Sequence, residues 1–181
     1  MNITPGPLAG LLLITPKVFT DSRGYFYEAF QQQRYTEQGI PHFVQHNVSR
    51  SKQQVLRGLH YQLPHAQGKL VGVTRGQVWD VAVDIRLSSP TFGKWFGITL
   101  SDDNPTQLYI PAGFAHGFCV LSDEADFYYK CTDFYAPHAE RGIAWNDARL
   151  NIPWPVNHPV VAEKDNRYLP LHEIDHAHLF S

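Results

Sequence analysis

The sequence lacks most of what would mark a secreted, membrane-bound or nucleic-acid-binding protein. It has two cysteines in 181 residues, Cys119 and Cys131, too few for a disulfide framework. Both sit in apolar, strand-like contexts, where a thiol packs as a small hydrophobe. The apolar run Leu8 to Ile14 is broken by Gly10 and is too short to span a bilayer. No basic region precedes it and no small-residue cleavage pattern follows it, so it reads as a first strand of a cytoplasmic protein with no membrane partner. Net charge is -2, with no run of like charges. A nucleic-acid binder would show a basic stripe, so no nucleic acid is expected as a partner. An anionic small molecule stays open, because a few convergent arginines bind one whatever the net charge. Helical periodicity is scarce. The one candidate is Gln31 to Gln38, with Glu28 as its opening residue. Internal repeats and low-complexity stretches are missing.

What is present is an all-β pattern. Short segments rich in Val, Ile, Tyr, Phe and Thr recur between turn signals. They are Gly68 to Thr74, Val78 to Ile85, Trp95 to Leu100, Gln107 to Ile110, Phe114 to Leu121 and Ala125 to Thr132. Within Val78 to Ile85, Asp80 and Asp84 share one parity with Val78 and Ala82, and Trp79, Val81, Val83 and Ile85 share the other. That alternation predicts a dry face and a wetter one. Gly76-Gln77 and Asp102-Asp103-Asn104 predict hairpin turns. Many short strands at regular spacing argue a sandwich, barrel or jelly roll. From about Ala144 the chain is rich in Pro and Trp and is expected to wrap the barrel irregularly. A length of 181 residues and 43% hydrophobic content fit one domain over residues 1–181.

Several residues are suited to chemistry. His60 follows Arg57-Gly58-Leu59 and shares strand parity with Gln62. Imidazole is the side chain best suited to proton transfer near neutral pH; the alternative is a histidine bonded at a sheet edge. Lys69 lies inside Gly-Lys-Leu-Val, where a lysine must snorkel or meet an anion. His116 stands between glycines that permit close backbone approach to a ligand, or it closes a turn. Tyr129 points to the face opposite Tyr128, as an acid or as packing. Asp165 either orients an imidazole or belongs to a charged turn. Arg23, Arg57, Arg75, Arg86 and Arg141 are all candidate phosphate ligands, with no choice among them from spacing. A metal set on barrel strands would want two histidines one residue apart. His60 has Gln62 at that spacing and His116 has Phe118, so no metal is expected. His172, His176 and His178 fall in the last ten residues, where a frayed tail is the default.

Nine runs occur together in one order: Asp21-Ser-Arg-Gly-Tyr-Phe-Tyr-Glu28, Gln45-His-Asn47-Val-Ser49, Leu56-Arg-Gly-Leu-His60, Gln67-Gly-Lys69, Asp80-Val-Ala-Val-Asp84, Ser89 to Trp95, Pro111 to Phe118, Tyr129-Lys130 and Glu163-Lys-Asp165. In this the chain resembles the dTDP-4-dehydrorhamnose 3,5-epimerase family from about Phe19 to Asp165. The resemblance implies a metal-free, cofactor-free cupin jelly-roll barrel with short peripheral helices, normally a homodimer. It implies a dTDP-sugar substrate, epimerised at carbons 3 and 5. The alternatives are a single-carbon epimerase or ketoisomerase on a related dTDP-deoxysugar, or a non-catalytic sugar-binding cupin. Carried over residue by residue, His60 resembles the general base supported by Asp165, Tyr129 the acid on the opposite ring face, and Lys69 the group that stabilises the enolate. Arg57, Arg23, Gln45, Asn47 and His116 resemble contacts to diphosphate or sugar. Phe26, Glu28 and Tyr135 resemble contacts around the base, some reaching across the dimer, and Glu140 and Lys164 match further nucleotide-sugar contacts. Gln54 departs from the pattern, standing where the family usually has glycine.

Overall fold

The computed structural model describes all residues, Met1–Ser181, and strands dominate it. In chain order they are β1 (Asn2–Pro5), β2 (Leu12–Thr15), β3 (Phe19–Asp21), β4 (Gly24–Phe26), β5 (Gln45–Lys52), β6 (Val55–Gln62), β7 (Lys69–Arg75), β8 (Gln77–Asp84), β9 (Trp95–Ser101), β10 (Gln107–Ile110), β11 (Phe114–Val120), β12 (Glu124–Cys131), β13 (Glu140–Gly142) and β14 (Val160–Val161). One sheet runs β1-β2-β10-β7-β12-β5 and the other β13-β6-β11-β8-β9, with β14 added parallel to β6. From β5 to β12 every connection except the β8–β9 hairpin crosses from one sheet to the other. That is the weave of a jelly roll, as the sequence predicts.

The alternation of residues explains the layers. Inward residues of both sheets, among them Val71, Val73, Val78, Ala82, Phe118 and Phe127, form one interior cluster. Phe118 and Phe127 stack across it at 4.0 Å between ring centroids. Complete burial of one such ring is worth about 1.5–3 kcal/mol. The outer face of the second sheet carries Leu59, Tyr61, Val81, Val83 and Ile85, covered by the C-terminal wrap through Leu150, Leu171 and Leu179. The first sheet buries Leu70, Ile14 and Tyr109 under the short helix α1 (Gln32–Thr36) with Tyr35 and Ile40. The Gln31 side chain caps α1 by accepting from the Arg34 amide at 2.8 Å. Glu28 pairs with Arg34 at 2.9 Å. No helix is long and apolar enough to cross a membrane.

Four expectations are corrected. The two predicted hairpin turns are corners between sheets, since β7 and β8, like β9 and β10, never pair. The corners are tied together, with the Gly76 amide donating to Asp102 at 3.0 Å. Gly76 has φ 76°, and a Cβ there would fall 2.1 Å from the Glu124 carbonyl oxygen. The predicted wet face of β8 is dry: Asp80 and Asp84 are both 0% exposed. Asp84 instead satisfies itself on the Arg86 guanidinium at 2.7 Å and the hydroxyls of Ser89 and Thr91, each at 2.6 Å. The tail is not frayed, because His172 and His176–His178 lie in 3₁₀ turns and the Leu87 amide donates to the Phe180 carbonyl at 2.7 Å. Gln54 takes φ 67° at the β5–β6 corner, the left-handed region where glycine is easiest.

Candidate active site

The interior of the barrel opens into a cavity of about 600 Å³. Its walls come from inward residues of facing strands: Gln45, Asn47 and Ser49 on β5, Lys69 on β7, His116 and Phe118 on β11, Phe127, Tyr129 and Cys131 on β12. Strand β6 contributes both Arg57 and His60, which are three residues apart and would face opposite ways in a regular strand. A β-bulge solves this. Arg57 pairs with Phe118 and His60 with His116, so Gly58 and Leu59 together face Gly117 alone. The bulge needs glycine on both strands: a Cβ on Gly58 would sit 2.6 Å from the Gly117 Cα. The pairing also sets His60 beside His116 across the two strands.

His60 Nε2 lies 2.7 Å from Asp165 Oδ1, and Asp165 Oδ2 accepts from the Gly58 amide at 3.1 Å. Asp165 is 2% exposed and arrives from the C-terminal wrap, just after β14 has joined β6. Burial pushes its pKa up, but the bonds from His60 and Gly58 and the nearby Lys164 ammonium outweigh this and hold it below the usual carboxylate range. Tyr168 meets the His60 ring edge-on, with centroids 5.9 Å apart. A histidine fixed in this way on the wall of a cavity is suited to accept a proton.

Tyr129 stands on β12, on the facing sheet. Burial raises its pKa, so the phenol keeps its proton and suits the role of acid. Lys69 lies directly across from Cys131. Its ammonium is desolvated, which lowers its pKa, while Cys131, Asp80 and Glu140 act in the other direction. Arg57 is aimed by two bonds to Ser51 Oγ, at 3.0 and 3.1 Å. Tyr128 faces out of the barrel and bonds Gln107 at 2.6 Å, so the two adjacent tyrosines do divide between faces.

The mouth of the cavity is made differently. Tyr135 donates to Glu140 at 2.8 Å, Lys164 pairs with the other Glu140 oxygen, and the Tyr135 amide donates to Gln45 at 2.8 Å. Gln62 holds this loop by bonds to the Phe134 carbonyl at 3.2 Å and the Ala136 amide at 2.8 Å. Burial raises the Glu140 pKa, but its bonds to Lys164 and Tyr135 bring it down overall.

Eleven expected residues therefore converge on one cavity: His60, Tyr129, Asp165, Lys69, Gln45, Asn47, Arg57, His116, Tyr135, Glu140 and Lys164. Arg23, Phe26 and Glu28 do not line it. Arg23 is bound to Asp21 at 2.6 Å, with its side chain 88% exposed, and Phe26 is 68% exposed. Among the other candidate arginines, Arg86 serves Asp84 and Arg75 lies 3.7 Å from Glu124. Asp80, which the sequence reading does not place at the site, has its Oδ2 2.8 Å from His116 Nε2. The available signal was a carboxylate inside the apolar run Val78 to Ile85. No group of three His, Cys, Asp or Glu side chains is placed to hold a metal.

The dTDP-4-dehydrorhamnose 3,5-epimerase family model matches residues 5–173. The chain is 56% identical over 168 residues to the dTDP-4-dehydrorhamnose 3,5-epimerase of Shigella flexneri, covering 91% of this chain and 93% of that one. It is 38% identical over 182 residues to a dTDP-4-dehydrorhamnose 3-epimerase of Streptomyces niveus, covering 99% and 88%. The crystal structure of the dTDP-6-deoxy-D-glucose-3,5-epimerase of Legionella pneumophila Philadelphia 1, in complex with dTDP-4-keto-L-rhamnose, superposes with a TM-score of 0.96 at 53% identity, covering 99% of this chain and 97% of that one. The chain is thus an isomerase and belongs to the dTDP-4-dehydrorhamnose 3,5-epimerase family.

Proposed function

We propose that this chain converts dTDP-4-dehydro-6-deoxy-D-glucose to dTDP-4-dehydro-L-rhamnose, with His60 as base, Asp165 as its support, Tyr129 as acid and Lys69 as the enolate cation. One observation carries the assignment: an imidazole bonded to a buried carboxylate at 2.7 Å shares a cavity with a phenol and a lysine from the facing sheet. Hydrogens on carbons 3 and 5 both flank the carbon-4 ketone. Removing either one by His60 leaves a carbanion whose charge resides on the ketone oxygen. Lys69 acts where that charge develops, which lowers the barrier more than equal binding of substrate and transition state. Tyr129 then returns a proton from the opposite ring face and inverts the centre. Proton exchange with water resets both groups between the two rounds. The scheme needs no cofactor.

Arg57, Gln45, Asn47 and His116 serve as contacts to diphosphate and sugar in this reading, and Tyr135, Glu140 and Lys164 as contacts at the mouth. Arg23, Phe26 and Glu28 belong to the same site if two chains pair. They lie on or beside the exposed β3–β4 hairpin, where Phe19, Tyr25 and Phe26 are 53%, 60% and 68% exposed. The outer strand β5 exposes Val48 to 67% and has an unpaired edge. Burial of both features in a two-fold homodimer would carry the hairpin toward a neighbouring cavity. The same reading has residues 1–181 as one domain working in the cytoplasm.

Incubation with the ketosugar in heavy water tests the activity. Exchange and inversion at carbons 3 and 5 are expected. Exchange at one carbon would make the chain a single-carbon epimerase, the activity named for the 38%-identical relative. Exchange at neither carbon would reduce it to a sugar binder.

A further inference from the structure

The buried carboxylate Asp80 has one oxygen on His116 Nε2 at 2.8 Å, while Oδ1 is buried without a partner. Asp80 is 0% exposed. An unpartnered carboxylate oxygen in a protein interior is costly and calls for a compensating charge. The inward parity of the two sheets points to that charge. Asp80 shares its face of β8 with Val78 and Ala82, and Lys69 shares its face of β7 with Val71 and Val73. All four apolar residues lie in the interior cluster, so Asp80 and Lys69 enter the same space from facing sheets. Lys69 belongs to none of the ion pairs of the chain, whereas Lys164, the other cavity lysine, is held by Glu140.

We infer that Asp80 is a positioning residue for epimerisation, the resident counter-charge that keeps the Lys69 amine protonated inside the barrel until the enolate oxygen replaces it. The inference rests on the epimerase reading, in which Lys69 meets the enolate. Its physical content is a competition. A lysine taken out of water tends to lose its proton, and a neutral amine cannot stabilise an oxyanion. The groups facing Lys69 are Cys131 across the β7–β12 pairing, Asp80 from β8 and Glu140 from β13, and all three favour the charged form. Glu140 is engaged by Lys164 and Tyr135, and burial raises the Cys131 pKa and keeps that thiol neutral. That leaves Asp80, whose Oδ1 is buried without a partner, as the carboxylate free to face the lysine. With His116 fixing one oxygen, the carboxylate cannot turn away.

The test is the pH dependence of kcat for wild type, Asp80→Asn, Lys69→Arg and the double variant, together with the ¹⁵N NMR titration of the Lys69 side-chain nitrogen. Asparagine keeps the shape and the contact to His116 but removes the charge. The alkaline limb of Asp80→Asn is expected to move to lower pH by about one unit, and the Lys69 titration to move with it. Lys69→Arg is slower overall, but its guanidinium does not titrate in this range, so adding Asp80→Asn there leaves the limb in place. An unmoved limb in Asp80→Asn, or an equal displacement in both backgrounds, overturns the inference. If Asp80→Asn fails to fold, the wild-type titration decides: a protonated Lys69 at neutral pH supports the counter-charge and a neutral amine sinks it. The two readings fail separately, because absence of hydrogen exchange at carbons 3 and 5 in wild type refutes the epimerase, whereas the NMR titration reads the lysine without turnover.

Discussion

The floor and the mouth of this cavity hold charge by opposite means. On the floor, the lining residues His116 and His60 are each bonded within 2.8 Å to a carboxylate, Asp80 and Asp165, which are 0% and 2% exposed. At the mouth, Lys164 is 54% exposed and meets Glu140 from a segment outside the central strands. Buried pairs are rigid and costly to break on one side only, while exposed pairs are worth little. The floor is therefore the place to hold reacting atoms, and the mouth is the place to exchange partners when a charged ligand arrives.

The largest effect should follow from the floor. His60→Asn is expected to lower turnover by about 10²–10⁴-fold while leaving the binding of dTDP, followed by calorimetry, nearly intact. Near-normal turnover would remove His60 from the mechanism. Tyr129→Phe should separate two signals that wild type couples. In heavy water the variant is expected to exchange substrate hydrogens faster than it forms inverted product, and a ratio equal to that of wild type would return Tyr129 to packing. The mouth should answer more weakly. Lys164→Met is expected to raise KM by no more than about five-fold with kcat unchanged, since an exposed pair contributes about 0.2–1 kcal/mol. A loss confined to kcat would erase the distinction between floor and mouth.

Asp84 sharpens the comparison from outside the site. Burial works against its ionisation, but the Arg86 guanidinium and the Ser89 and Thr91 hydroxyls bring its pKa down to about 2. A folded pKa below the unfolded one means that the stabilisation is present above about pH 4 and fades as the pH falls through about 2. Asp84→Asn should therefore cost on the order of 2 kcal/mol at neutral pH, and its unfolding curve should converge on that of wild type in strong acid. Its kcat and KM should not change. A change in either would mean that the β8 carboxylates are not divided between structure and catalysis.

Most of the central strands were legible. The expected segments from Gly68 to Thr132 match β7 to β12 within one or two residues at each end, because both walls of the barrel bury alternate apolar residues. Strand β5 was not legible as a strand. Its inward residues, Gln45, Asn47 and Ser49, are polar because they face a cavity, and its outward residues include the exposed Val48, so the usual signal is inverted. The corners at Gly76 and Asp102 carry the same residues as hairpin turns, and only the pairing of sheets tells them apart. The convergence of His60, Lys69 and Tyr129 was available through family resemblance. The bulge at Gly58 that turns Arg57 and His60 toward one side was not, since a one-residue change of phase depends on the partner strand. The role of Asp80 is not legible, because an aspartate in an alternating strand reads as a solvent-facing position.

The link between β14 and β6 also sets an order of events in the life of the molecule. His60 and its carboxylate partner are 105 residues apart, and the second reaches the first on a segment zipped against the edge of a finished sheet. During synthesis the barrel strands, the phenol and the lysine all emerge before Asp165 does. A nascent chain that has not yet added this segment lacks both the carboxylate and the part of the cavity wall that runs from Val160 to Asp165. The proposed base and its support meet only when the wrap closes, so their bond reports that this segment has docked on the barrel.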